Sequence, residues 1–132
     1  MTLTALYDIA LQDNIPVFSF DMETCESISI LQSGNCYIAI EPFKIKSVSD
    51  EKVKLAHELG HCETGAFYNI HAVCDIREKH ENRADKWAIK KLIPKNELKE
   101  ACKCCRNRWE LSEYFGVTED FMQKALDYYR GI

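Results

Sequence analysis

The segment His57-Glu58-Leu59-Gly60-His61 holds the residue types and spacing that metal-assisted peptide hydrolysis uses. On a helix, side chains four positions apart lie about 40° apart around the axis, so both imidazoles project from one face and can share a cation. Neutral imidazole suits zinc, and Glu58 sits beside the pair, placed to reach water at the ion rather than the ion itself. A zinc ion there would polarise a carbonyl and let water ionise near neutral pH, with Glu58 as the base that takes the proton. The same five residues also arise by chance on exposed helices, so the reading needs a third ligand. A third histidine in the longer form of the motif would stand at position 67, after a glycine at 64. The chain has Thr64 and Phe67 there, which excludes that class.

Glu81, twenty positions after His61, is the third-ligand candidate. Its helical face continues through Ala84, Asp85, Ala88 and Leu92, and the two alanines allow close packing on the helix that carries the histidines. Three protein ligands leave a fourth position open. Asp85, one turn beyond Glu81, is placed to accept the second ring N–H of a ligand histidine. The opposing reading is a solvated acidic face shared with Lys86 and Lys90. Tyr68, His71 and His80 are the nearest candidates for stabilising a transition state, although His80 points about 100° away from Glu81 on the same helix.

These residues need elements to hold them. Leu3, Leu6, Ile9 and Ala10 predict a helix over 2–13 that stops at Asn14 and Pro16. Strands are predicted over 17–20, 27–31 and 36–40, the last two joined as a hairpin through Gln32-Ser33-Gly34-Asn35. Ser49, Asp50 and Glu51 announce a helix over 50–63. Asp75 and Glu78 have capping-box spacing for a second helix over 77–92, with Pro94 beyond it. Shorter helices complete the chain. With no repeat, low-complexity stretch or linker, residues 1–132 form one expected domain: an N-terminal helix and sheet over 1–46, the metal-site helices over 47–93, and C-terminal helices over 94–132. The fold class is α+β, with a small, mostly antiparallel three-stranded sheet.

The run from His57 to His61, followed by Glu81-Asn-Arg-Ala84-Asp-Lys-Trp87-Ala88 and ending Leu92-Ile93-Pro94, resembles the ImmA/IrrE family of metallo-endopeptidases. The resemblance covers about residues 53–94, with Arg83 where many members carry a second acid. It implies a zincin-like fold, one zinc ion held by His57, His61 and Glu81, and Glu58 as the catalytic acid/base. It also implies a protein substrate, a helix-turn-helix repressor of the phage or mobile-element kind. The alternative is a catalytically weak, protease-like module that sequesters a regulator.

In zincin-type folds the strand before the active-site helix forms the cleft edge. The strand 36–40 therefore has two readings: a free edge that pairs with an extended substrate, or an interior strand already paired on both sides.

The rest of the chain bounds these readings. A net charge of −4 gives no broad basic surface for a phosphate backbone. Residues 111–122 have helix-turn-helix character around Gly116, but Thr118-Glu119-Asp120 would face DNA with acids. That segment is expected to close the fold as a helical hairpin through Phe121, Ala125, Leu126 and Tyr129. No apolar run approaches the roughly 18 residues of a membrane span, and the N-terminus lacks a signal-peptide pattern. Seven cysteines, an odd number without an export signal, are expected as reduced thiols in the cytoplasm. Cys102, Cys104 and Cys105 lack paired metal-ligand spacing and are expected as small buried thiols on a helix.

Overall fold

The Thr2 hydroxyl accepts the Ala5 N–H and starts α1 (Leu3–Gln12), which buries Leu6 and Ala10. The helix gives way at Asn14, in the left-handed region, just ahead of Pro16. The computed structural model describes residues 1–68 and 74–131. Strands β1 (Val17–Ser19), β2 (Ser27–Gln32) and β3 (Asn35–Ile40) form one sheet in the order β1-β3-β2. Ser33 and Gly34, with φ of 53° and 79°, make the tight turn between β2 and β3, and positive φ at both positions suits the right-handed twist of the hairpin.

The sheet is mixed: β2 runs antiparallel to β3 over six residue pairs, and β1 runs parallel to it over three. β3 is thereby the interior strand. Of the two readings of 36–40, the interior one holds, because Val17–Ser19 takes up the other side of β3 and leaves β2 at an edge. Ile38 and Ile40 turn inward to the core with Leu55 and Leu59. Phe18, Phe20 and Ile30 remain exposed on the outside.

α2 (Val48–Thr64) begins two residues before the expected start, because Ser47 rather than Ser49 accepts the Asp50 N–H. Gly65, at φ 67°, ends it in the left-handed conformation. α3 (Cys74–Leu92) likewise starts earlier than predicted, so Asp75 is already inside the helix rather than at its cap. α2 and α3 pack face to face. A Cβ on Gly60 would stand 2.5 Å from the Ala84 carbonyl oxygen, so the missing side chain sets the helix separation. Ala84 and Ala88 are fully buried at the same contact.

α4 (Lys95–Ala101), α5 (Arg108–Phe115) and α6 (Glu119–Arg130) follow. α5 and α6 form a hairpin closed by Gly116, with Phe121, Met122 and Ala125 buried. Lys52 of α2 reaches across to donate to the Phe115 carbonyl at 2.6 Å, capping α5, and burial pushes its ammonium pKa down.

Two cysteine expectations are corrected. Cys36 and Cys62 form a disulfide, with Cα atoms 5.7 Å apart, because the end of α2 lies beside the start of β3. The argument from reduced thiols to the cytoplasm therefore fails for this pair. Cys102 and Cys104 are exposed in the turn after α4 instead of buried on a helix, and Cys105 is only partly covered. Among the described residues no helix is long and apolar enough to cross a membrane.

Candidate metal centre

His57 and His61, one turn apart on α2, bring their Nε2 atoms within 3.2 Å, with the rings edge-on at 84°. Each ring is held by its other nitrogen. His57 Nδ1 lies 2.8 Å from Asp85 Oδ1, and His61 Nδ1 lies 2.5 Å from the Ala66 carbonyl oxygen. The turn at Gly65 brings that carbonyl back over the helix end, where the Ala66 N–H also bonds to the His61 carbonyl. With Nδ1 occupied as a donor, each Nε2 is the nitrogen left for a cation.

α3 supplies the third group. Glu81 Oε2 lies 2.7 Å from His57 Nε2, and Oε1 lies 3.3 Å from His61 Nε2. The three donor atoms fall within 4.8 Å of one another, as a group that could hold a metal ion. Two imidazoles and one carboxylate, each imidazole locked from behind, form a donor set that fits zinc.

No protein-family model, curated protein or solved structure matches the chain. The site's own chemistry therefore carries the functional argument.

The electrostatics follow from this crowding. Burial alone would lower the His57 pKa, but hydrogen bonds to Asp85 and Glu81 prevail and raise it to about 10. Burial also opposes the charge on His61, yet Glu81 and the Ala66 carbonyl hold its pKa above the ordinary histidine value. The two imidazoles in turn keep Glu81 well below the usual carboxylate range. Burial would raise Asp85, but His57 and Lys124 together lower it. Lys124 of α6 sits 3.1 Å from Asp85 Oδ2, so the carboxylate spans the C-terminal helix and the ligand histidine. The polypeptide thus holds a proton where a cation would bind.

Glu58 is buried next to the ligands, and the Ser27 hydroxyl donates to its Oε2 at 2.7 Å. A cleft of about 440 Å³ opens over the group, walled by β2 on one side and by Phe67, Tyr68 and Glu81 on the other. Of the three transition-state candidates, Tyr68 lines this cleft, its hydroxyl donating to Glu81 Oε1 at 2.9 Å. Glu81 in turn raises the phenol's pKa. His80 stacks on the Tyr68 ring, with centroids 6.1 Å apart, and is not part of the cleft wall. His71 lies outside the described residues.

Sequence reasoning passed over Ser27, Gly60, Ala66 and Lys124. Gly60 carried a signal, since glycine inside a helix costs about 1 kcal/mol relative to alanine and calls for a packing reason. The helix-ending Gly65 was the signal for the returning Ala66 carbonyl. Ser27 and Lys124 had none, because they meet their partners across 31 and 39 residues of chain.

Proposed function

We propose that this chain is a zinc-dependent endopeptidase with a zincin-like fold, hydrolysing a peptide bond in an extended segment of a cytosolic protein. The observation that carries the reading is the convergence of His57 Nε2, His61 Nε2 and the Glu81 carboxylate at the floor of a cleft that also holds Glu58. Zinc, when bound, supplies Lewis acidity toward a carbonyl and toward water. The chain's residues do the rest. His57, His61 and Glu81 would hold the ion, with Asp85 and the Ala66 carbonyl fixing the two rings. Glu58 takes a proton from water on its carboxylate and passes it to the departing amine. Tyr68, already in the cleft, turns its hydroxyl from Glu81 to the carbonyl oxygen as charge develops there.

Among the described residues the outer edge of β2 is unpaired, and it gives an extended substrate a place to lie. Antiparallel bonding groups alternate, and the Glu26 carbonyl accepts the Glu41 N–H. Ser27, Ser29 and Leu31 therefore turn their backbone groups away from β3, toward the open side of the sheet. A peptide added there would meet the cleft wall at Ser27, Ile28 and Ser29. The resemblance of His57–His61 and Glu81–Pro94 to ImmA/IrrE enzymes extends the proposal to a helix-turn-helix repressor as the substrate.

The test is digestion of a proteome-derived peptide library, with new termini read by mass spectrometry beside the zinc content of each protein. Wild-type protein generates new termini, Glu58→Gln keeps zinc and generates none, and His61→Ala loses both. New termini from Glu58→Gln would defeat the reading.

A further inference from the structure

Glu58 is only 6% exposed, so its carboxylate needs a hydrogen-bond partner inside the protein. Among the described residues the donor that reaches it is Ser27, whose Oγ–H meets Oε2 at 2.7 Å. An ionised carboxylate only accepts, so the serine donates and Oε1 stays available for proton transfer. Ser27 is the first residue of β2, the cleft-side edge strand, and comes from a part of the chain remote from the motif.

We propose that Ser27 is the positioning residue for Glu58: it pins one carboxylate oxygen toward the sheet, which keeps Glu58 a base and prevents it from becoming a fourth ligand. The inference rests on the metallopeptidase reading above. Its physical ground is competition. Glu58 follows the ligand His57 directly, and a carboxylate oxygen is itself a competent zinc donor. A freely turning Glu58 could therefore close the coordination position that substrate and water need. The Ser27 bond opposes that turn.

The same residue faces the substrate. Its side chain points in to Glu58 while its backbone groups point out along the edge of β2. A peptide lying on that edge is held by the residue that orients the base, so docking and base placement share one anchor. Ser29, two residues on, lines the same cleft wall, but the bond to Glu58 is made by Ser27.

The experiment loads the full-length protein with cobalt(II), whose visible absorption reports the number and arrangement of ligands where zinc is silent. Wild type, Ser27→Ala, Ser27→Thr, Glu58→Gln and the double variant Ser27→Ala/Glu58→Gln are compared for cobalt affinity, absorption and peptide cleavage. Ser27→Ala should shift the cobalt bands and tighten cobalt binding about tenfold, because Glu58 joins the ion. It should also lower kcat about 10- to 100-fold, the worth of a hydrogen bond to a charged group, with KM within about twofold. Ser27→Thr keeps a hydroxyl and should resemble wild type. In the Glu58→Gln background the alanine substitution should change neither bands nor affinity.

Unchanged cobalt bands and affinity in Ser27→Ala, or the same change whether or not Glu58 is present, would overturn the inference. If wild type binds cobalt yet cleaves nothing, the peptidase reading fails while the cobalt comparison still decides whether Ser27 holds Glu58. Failure of wild type to bind cobalt overturns both.

Discussion

The two helices that bring together the candidate metal centre contribute to it in different ways. α2 carries two candidate ligands whose spacing is internal to the helix, and its His61 is locked by a carbonyl only five residues away in the chain. Its side chain is 6% exposed. α3 carries Glu81, whose side chain is 37% exposed, together with Asp85, and both meet the histidines only because the helices come together. That approach depends on Gly60 against Ala84, while Lys124 from α6 holds Asp85 from the other side. One half of the centre is a property of a helix and the other is a property of an interface. Disturbing the packing should therefore cost the α3 half first.

Gly60→Ala strikes the interface most directly. The added methyl meets backbone rather than a flexible side chain, so the helices must separate, with an expected loss of about 3 kcal/mol in chemical denaturation. Zinc per chain should fall with it, and wild-type stability and zinc content in this variant would show that the interface is softer than the contact implies.

Asp85→Ala leaves the packing intact but frees the His57 ring. Zinc affinity measured by chelator competition should drop about 10- to 100-fold, the usual consequence of removing a carboxylate behind a ligand imidazole. An unaltered affinity would mean that α3 matters through Glu81 alone.

The proton on His57 sharpens the comparison further. A ligand imidazole must be neutral, and His57 in the polypeptide stays protonated up to about 10. Because His61 is also held above its ordinary value, zinc affinity should rise by at least about tenfold per pH unit through neutrality and level off near that value. Without the ion the sign for stability is opposite. A folded pKa raised from 6.5 to about 10 stabilises the apoprotein fully below about 6.5, and that contribution is lost as the pH climbs to about 10. Calorimetric proton release on zinc addition, in buffers of different ionisation enthalpy, measures the first part. Zinc binding that releases no proton between pH 6 and 8 would contradict a protonated His57.

Lys124→Met should have the smallest effect. Its ammonium is half exposed, so solvent screens its pull on Asp85, and zinc affinity should change less than about fivefold. A larger change would make α6 part of the centre rather than its support.

Much of the centre was legible because its grammar is local. The placement of His57 and His61 follows from helical periodicity, and Glu81, Ala84, Asp85 and Ala88 announce a second helix with an acid-and-alanine face. The hairpin at Ser33-Gly34 and the closing turn at Gly116 were likewise written in residues that favour positive φ. Local signals did not decide where two similar ones compete within a few residues. Ser47 and Ser49 are both able to cap α2, and only the path of the entering chain selects Ser47. The strand 36–40 has the apolar character of either an edge or an interior strand, and the parallel arrival of β1 decides for the interior.

The sequence by itself determined the two-histidine face of α2, the glutamate beside it and the type of the helix that bears Glu81, because each depends on geometry within one element. Tertiary structure alone decided that Ser27 meets Glu58, that Asp85 joins His57 to Lys124, that β2 forms the cleft edge, and that Cys36 pairs with Cys62. The physical reason is range. Helical and turn preferences act over a few residues, whereas these contacts close long stretches of chain and exist only once the apolar faces of α2, α3 and the sheet have been buried together.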